Sequence, residues 1–251
     1  MRLKDKVVIV TGAARGIGEA YVHSLCAEGA KVCIADILDK EGQKVAGDLT
    51  DKGAQAFFAH TDITDETNFQ DTVRQTISKY GGVDALVNNA ALYGGMGRWD
   101  ALTGPIDYFN RMMTINVTGV LIGARAVAPH MIERKKGSIV NQSSITAYFS
   151  GGAYGTSKLA VIGLTIGLAT QLGPQGVRVN AIAPGFIWTE ASLGVAGDTP
   201  EAKQRFMGLQ TIKKLGQPED LCGALLFLVS DESAWMNGET MVVDGGWMRR
   251  V

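Results

Sequence analysis

Apolar positions gather in seven short β-branched runs separated by longer stretches of helical period: KVVIV (6–10), KVCIAD (31–36), QAFFAH (55–60), DALVNNA (84–90), SIVNQS (138–143), VRVNAIA (177–183) and TMVVDG (240–245). The runs are near-continuous rather than alternating, as in strands covered on both faces, and their exchange with helical stretches is that of βαβ units. The pattern predicts an α/β protein with a doubly wound, seven-stranded parallel sheet and helices on both faces. No internal repeat, charge block or Pro/Ser-rich linker breaks the series, so residues 1–251 read as one domain.

Two apolar segments are longer, 106–132 and 153–172. A bilayer span asks for about 20 uninterrupted apolar residues. The first segment instead carries Asp107, Asn110, Arg111, Asn116 and Arg125, and the second opens with Ser157 and Lys158. Helices this apolar all round are expected to be buried on both sides, one face on the sheet and the other on a second subunit, with no membrane involved. The apolar run at the N-terminus is only four residues long, too short for a secretion signal, so a cytoplasmic location is expected.

Composition narrows the partners. A net charge of −1 leaves no basic face for nucleic acid or an anionic membrane. Cys26, Cys33 and Cys222 have no paired spacing and His23, His60 and His130 are scattered, so neither a disulfide framework nor a metal site is expected.

Chemistry concentrates in a few motifs. The first strand runs into TGAARGIG, where Gly12, Gly16 and Gly18 allow a tight turn and close approach to a pyrophosphate at the N-terminus of the next helix. The second strand ends in Asp36, 18 residues after Gly18, placed to accept hydrogen bonds from adenosine ribose hydroxyls and to repel a 2′-phosphate. Arg15 in the glycine loop pulls the other way, since a guanidinium there can pair with a phosphate. Asp62, followed by Ile63, either caps the next helix or bonds the adenine amino group. Asn88 and Asn89 close the fourth strand, where an open α/β sheet places its ligand crevice. In AYGTSKLA, Tyr154 and Lys158 stand four residues apart, on one face of a helix.

With TGAARGIG, Asp36, NNA at 88–90, Asn116, SS at 143–144, YGTSK at 154–158, PG at 184–185 and VDGG at 243–246, the chain resembles the short-chain dehydrogenase/reductase family almost end to end. The resemblance implies a Rossmann-type fold and an NAD cofactor held by Gly12, Arg15, Gly16, Ile17, Gly18, Asp36, Asp62, Ile63, Asn89, Tyr154, Lys158, Pro184, Gly185, Ile187 and Thr189. It implies catalysis by Asn116, Ser144, Tyr154 and Lys158. Tyr154 is the acid/base, and Lys158 lowers the phenol pKa and bonds the nicotinamide ribose. Ser144, with Ser143 as the alternative, bonds the substrate oxygen. Asn116 either holds a water that relays protons to Lys158 or bonds a nearby carbonyl. Thr189 and the Ile187 backbone hold the nicotinamide carboxamide, and residues 190–210 resemble a substrate lid.

Two departures mark the chain. Only ten residues separate Ser144 from Tyr154, a few fewer than the family usually has, and NNAA at 88–91 lacks the usual fourth glycine.

Tyr93, Trp99, Tyr148, Phe149, Phe186 and Trp188 are candidate pocket walls suited to an apolar, cyclic or aromatic substrate, while Arg98 offers a partner for a substrate carboxylate. The expectation is an NAD-dependent oxidoreductase interconverting a secondary alcohol and a ketone, assembled as a homotetramer as the resemblance implies. Its rivals are an NADP-dependent 3-oxoacyl thioester ketoreductase, kept open by Arg15, and a dinucleotide-binding protein without catalysis.

Overall fold

The structure, a computed structural model, describes residues 1–93, 100–149 and 152–249. Seven strands form one sheet: β1 (Val7–Thr11), β2 (Lys31–Asp36), β3 (Ala56–His60), β4 (Ala85–Asn88), β5 (Gly137–Gln142), β6 (Val177–Pro184) and β7 (Thr240–Val243). Every neighbouring pair is parallel, in the order β3-β2-β1-β4-β5-β6-β7. The helices are α1 (Gly16–Ala27), α2 (Asp39–Thr50), α3 (Glu66–Tyr80), α4 (Ile106–Met113), α5 (Gly119–Glu133), α6 (Thr146–Phe149), α7 (Gly152–Leu172), α8 (Glu190–Ala196), α9 (Pro200–Leu209) and α10 (Cys222–Val229).

The near-continuous apolar runs are explained by cores on both faces of this sheet. Val8 and Val10 of β1 pack with Tyr21, Val22 and Leu25 of α1, Val45 and Leu49 of α2 and Leu225 and Leu228 of α10. Ile9, between them, points the other way, into a core built by Phe69 and Val73 of α3, Ile122, Val127 and Met131 of α5 and Ala169 and Leu172 of α7. Successive strands are added on opposite sides of β1, so the connections that follow β1 and β4 leave toward opposite faces of the sheet and a crevice opens at its carboxyl edge.

Boundaries differ from the sequence pattern in three places. The fourth strand stops at Asn88, because the Asn89 side chain turns back and its Nδ2 donates to the Thr11 and Gly12 carbonyls at 2.9 and 3.0 Å. The third connection is capped by Asp65 rather than Asp62: Asp65 Oδ1 accepts from the Thr67 and Asn68 amides at 2.8 and 3.0 Å and so starts α3. The long segment at 106–132 is not one regular helix. A π turn at Thr114–Thr118, carrying the buried Asn116, separates α4 from α5.

Ile106–Glu133 is, by length and composition, the one helix among the described residues apolar enough to cross a bilayer. Its buried residues, among them Ile122, Val127 and Met131, lie against the sheet. The face of α7 away from the sheet stays apolar and open, with Leu159 and Ile166 about half exposed and open space around Gly163 and Gly167.

Candidate active site

The glycine loop is shaped by backbone that side chains would spoil. Gly12 and Gly16 hold φ of +63° and +61°, in the left-handed region. A side chain on Gly18 would come within 2.7 Å of Asn89 Nδ2, so the loop packs directly on the end of β4. Helix α1 begins with Arg15 as N-cap and no side-chain cap, leaving its first-turn N–H groups for an anion.

The adenosine end is built around Asp36. Its carboxylate is buried and accepts from the Ala14 amide at 2.9 Å and the Leu38 amide at 3.1 Å, so its position is fixed. Arg15 is exposed and has no ion pair among the described residues. Asp62 accepts from the Thr64 hydroxyl at 2.7 Å and amide at 2.8 Å, which holds its carboxyl below the usual range; its capping alternative falls to Asp65.

A cavity of about 1150 Å³ runs from this end across the carboxyl edge of the sheet. It is larger than the roughly 300–1,000 Å³ of a pocket for one small ligand. All fifteen sequence-predicted cofactor residues line it: Gly12, Arg15, Gly16, Ile17, Gly18, Asp36, Asp62, Ile63, Asn89, Tyr154, Lys158, Pro184, Gly185, Ile187 and Thr189. The glycine cradle, the uncapped helix start and the fixed carboxylate together fit a dinucleotide. Thr189 also starts α8, accepting from the Ser192 amide at 3.3 Å while its own amide donates to Ser192 Oγ at 2.8 Å.

At the other end the fifth strand and α7 bring Ser144, Tyr154 and Lys158 together. Burial pushes the Tyr154 phenol well above its ordinary value, the nearby Tyr93 adds to the rise, and a hydrogen bond with Ser144 partly offsets both. Tyr93 sets its ring edge-on to Tyr154, with centroids 5.0 Å apart. Ser143 is spent elsewhere, its hydroxyl donating to the Lys158 carbonyl at 2.8 Å.

Lys158 is held from the end of β5. Its ammonium, on a residue only 2% exposed, donates to the Gln142 carbonyl at 2.8 Å and stands 5.5 Å from the Tyr154 ring centre. Burial lowers the lysine itself, from 10.5 to about 8, so the ammonium is still charged at neutral pH and stands close enough to favour the phenolate. Of the two readings of Asn116, the bond to a nearby carbonyl is the one present, and its side chain does not line the cavity. Oδ1 accepts from the Leu92 amide at 2.7 Å, and Nδ2 faces the Leu92 carbonyl and Ser157 Oγ, both at 3.1 Å. It therefore bonds a nearby carbonyl and ties the segment after β4 to α7, one residue before Lys158.

The substrate end is aromatic, but not with the expected roster. Tyr93, Phe149 and Phe186 line it. Tyr148 does not, since on the single turn of α6 its neighbour Phe149 takes the inward direction. Trp188 stands behind the wall, edge-on to Phe186 at 5.5 Å and beneath Lys203 Nζ at 5.7 Å. Trp99 and Arg98 lie outside the described residues.

Two wall residues escaped the sequence reading, Phe206 of α9 and Trp247 beyond β7. Phe206 stacks on Phe186 at 3.8 Å, and Trp247 stacks on Phe149 at 5.9 Å. Arg111 and Thr114, five and two residues before Asn116, also reach the cavity. Arg111 and Thr114 share one helix face at i, i+3 spacing, whereas Trp247 is brought in only by the pairing of β7 with β6. Among the described residues no three His, Cys, Asp or Glu side chains gather to hold a metal ion.

Known proteins match this arrangement. The family model described as enoyl-(acyl carrier protein) reductase covers residues 12–248. An uncharacterized oxidoreductase of Mycobacterium tuberculosis is 46% identical over 248 residues, 98% of each chain. A 3-alpha-(or 20-beta)-hydroxysteroid dehydrogenase of the same organism is 38% identical over 249 residues, 98% of this chain and 90% of the relative. Among solved structures, a gluconate 5-dehydrogenase from Burkholderia cenocepacia in complex with NADP and tartrate superposes with a TM-score of 0.92 at 30% identity, over 100% of this chain and 98% of the other. The chain belongs to the short-chain dehydrogenase/reductase family and is an NAD(P)-dependent oxidoreductase acting on CH–OH groups.

Proposed function

We propose that the protein interconverts a secondary alcohol and a ketone with an apolar, cyclic or aromatic body, using NAD. The observation that carries this is a half-buried phenol, bonded to Ser144, at the junction of the dinucleotide cradle and an aromatic wall of Phe149, Phe186, Phe206 and Trp247. The likeness to a hydroxysteroid dehydrogenase supports a cyclic substrate. A dinucleotide held by the glycine loop, Asp36 and Lys158 would supply hydride exchange with the carbon that bears the substrate oxygen.

The side chains then have distinct tasks. Ser144 holds the substrate oxygen against Tyr154. Tyr154, kept neutral by burial, gives its hydroxyl proton to that oxygen as the ketone is reduced and takes it back in the oxidation. Lys158, buried and charged below about pH 8, supplies the positive field that makes loss of the phenol proton tolerable and is assigned to the nicotinamide ribose. Asn116 is assigned to holding the segment after β4 on α7.

NAD is assigned over NADP because Asp36 is held by two backbone amides while Arg15 is free to turn to solvent. A 2′-phosphate would meet a fixed carboxylate. Arg15, together with the NADP in the gluconate 5-dehydrogenase neighbour, is what favours the second reading, an NADP-dependent 3-oxoacyl thioester ketoreductase. The open apolar face of α7, with Leu159, Gly163, Ile166 and Gly167, supports assembly with further copies as a homotetramer.

Replacing Tyr154 with Phe is expected to lower turnover of cyclic secondary alcohols by about 10²–10⁴-fold while leaving NADH affinity nearly unchanged; near-normal turnover would overturn the acid/base assignment. NAD should be preferred by at least about tenfold in kcat/KM, with Asp36→Ala narrowing the gap and Arg15→Ala widening it. Equal or better kcat/KM with NADP would promote the ketoreductase reading.

The pH dependence follows from Lys158. Its charge is present below about pH 8 and lost above, so kcat/KM for NADH, which reports the free enzyme, should be level at neutral pH and fall as pH rises through about 8. Lys158→Arg should carry that fall to higher pH, and an unmoved limb would remove Lys158 from the mechanism. Light scattering is expected to report a tetramer at micromolar concentration, and a stable monomer would contradict the assembly.

A further inference from the structure

One buried polar group on the cavity wall has a free end. Along the end of β5, Asn141 and Ser143 face α7, donating to Thr165 Oγ1 at 3.0 Å and to the Lys158 carbonyl at 2.8 Å. Gln142, between them, faces the opposite way, onto α1, where its Oε1 accepts from the Tyr21 hydroxyl at 3.1 Å. Tyr21 is fully buried, and burial pushes its phenol so high that it stays protonated, so its hydrogen requires an acceptor. Gln142 provides that acceptor. Exchanging the amide oxygen and nitrogen would strip it away, which fixes the orientation. Gln142 Nε2 is left buried and without a hydrogen-bond partner.

Gln142 is 6% exposed, yet it lines the dinucleotide cavity beside Ile17, Tyr154, Lys158 and Pro184. Its backbone carbonyl already holds the Lys158 ammonium at 2.8 Å. The Tyr21 hydroxyl keeps Gln142 Oε1 occupied, so Nε2 is the hydrogen-bonding atom of this side chain left to meet an acceptor that enters the cavity. We infer that Gln142 is a cofactor-binding residue whose side-chain amide donates to an oxygen on the nicotinamide-riboside half of the dinucleotide. The inference rests on the dinucleotide-dependent reading above and adds to it a residue that anchors the reactive half separately from the adenosine half.

The test is binding rather than turnover. In the double variant Tyr21→Phe/Gln142→Leu both partners become apolar together, so no orphan is created. Its melting temperature without ligand, read by calorimetry, should equal or exceed that of the unmodified protein. Its Kd for NADH, read by titration calorimetry, should rise about three- to tenfold, the share of one neutral hydrogen bond. Its Kd for ADP, which carries only the adenosine half, should not change. Gln142→Met alone, which retains Tyr21, should show the same split between NADH and ADP if the double variant does not fold. An unchanged NADH affinity overturns the inference, and so does an equal loss for NADH and ADP, which would make Gln142 a packing residue. Failure of the unmodified protein to bind any dinucleotide overturns this inference and the reading beneath it together.

Discussion

Where the sheet changes direction, a small clasp holds the crevice open in one shape. Thr11 Oγ1 accepts the amides of Asn89 and Ala90 at 3.0 and 3.1 Å and donates to the Val87 carbonyl at 3.3 Å, while Asn89 returns its side-chain amide to the Thr11 and Gly12 carbonyls. Five hydrogen bonds thus join the end of β1 to the end of β4 across the point where consecutive units wind in opposite senses. The glycine loop, the start of α1 and the segment leading to Tyr93 all depart from these few residues. Backbone groups at such an edge have no sheet partner, and unpaired they would cost more than most side-chain contacts return. The clasp satisfies them, so the cradle is rigid before anything enters it.

The electrostatics of the cavity are set by burial more than by pairing. At one end two backbone amides hold the Asp36 carboxylate in place. At the other end a neutral phenol and a buried ammonium stand near each other without a direct bond, each shifted toward its uncharged form by loss of water. This arrangement favours proton donation in the ligand-free geometry. A positive ring bound alongside would reverse the balance for the phenol, so one side chain serves both directions of the reaction.

Much of this was legible in the chain. Parallel strands buried on both faces must be apolar throughout, so all seven could be read, and glycines that need positive φ or close approach announce their loop. The spacing of Tyr154 and Lys158 fixed a shared helix face. It could not fix where the lysine head points, because four rotatable bonds intervene and the Gln142 carbonyl lies 16 residues away in sequence. Tyr148 and Trp188 were misassigned for a related reason: neighbours in sequence diverge in direction, and only the inward members, Phe149 and Phe186, reach the cavity. Trp247 was invisible, since nothing local marks a residue as part of a wall whose other panels come from α6, α9 and the end of β6. The π turn is also silent in periodicity, where one extra residue passes unnoticed in an apolar run.

Helix α7 carries the reactive phenol and ammonium on its inner side and an uncovered apolar strip on its outer side, within the same 21 residues. An α-helix is stiff along its axis and absorbs little displacement between its faces. A surface that closed over Leu159 or Ile166 from outside would therefore bear on the placement of Tyr154 and Lys158 within. Alignment of the proton-transferring groups is in this sense a mechanical property of the exterior, and the two faces of α7 are not free to vary independently.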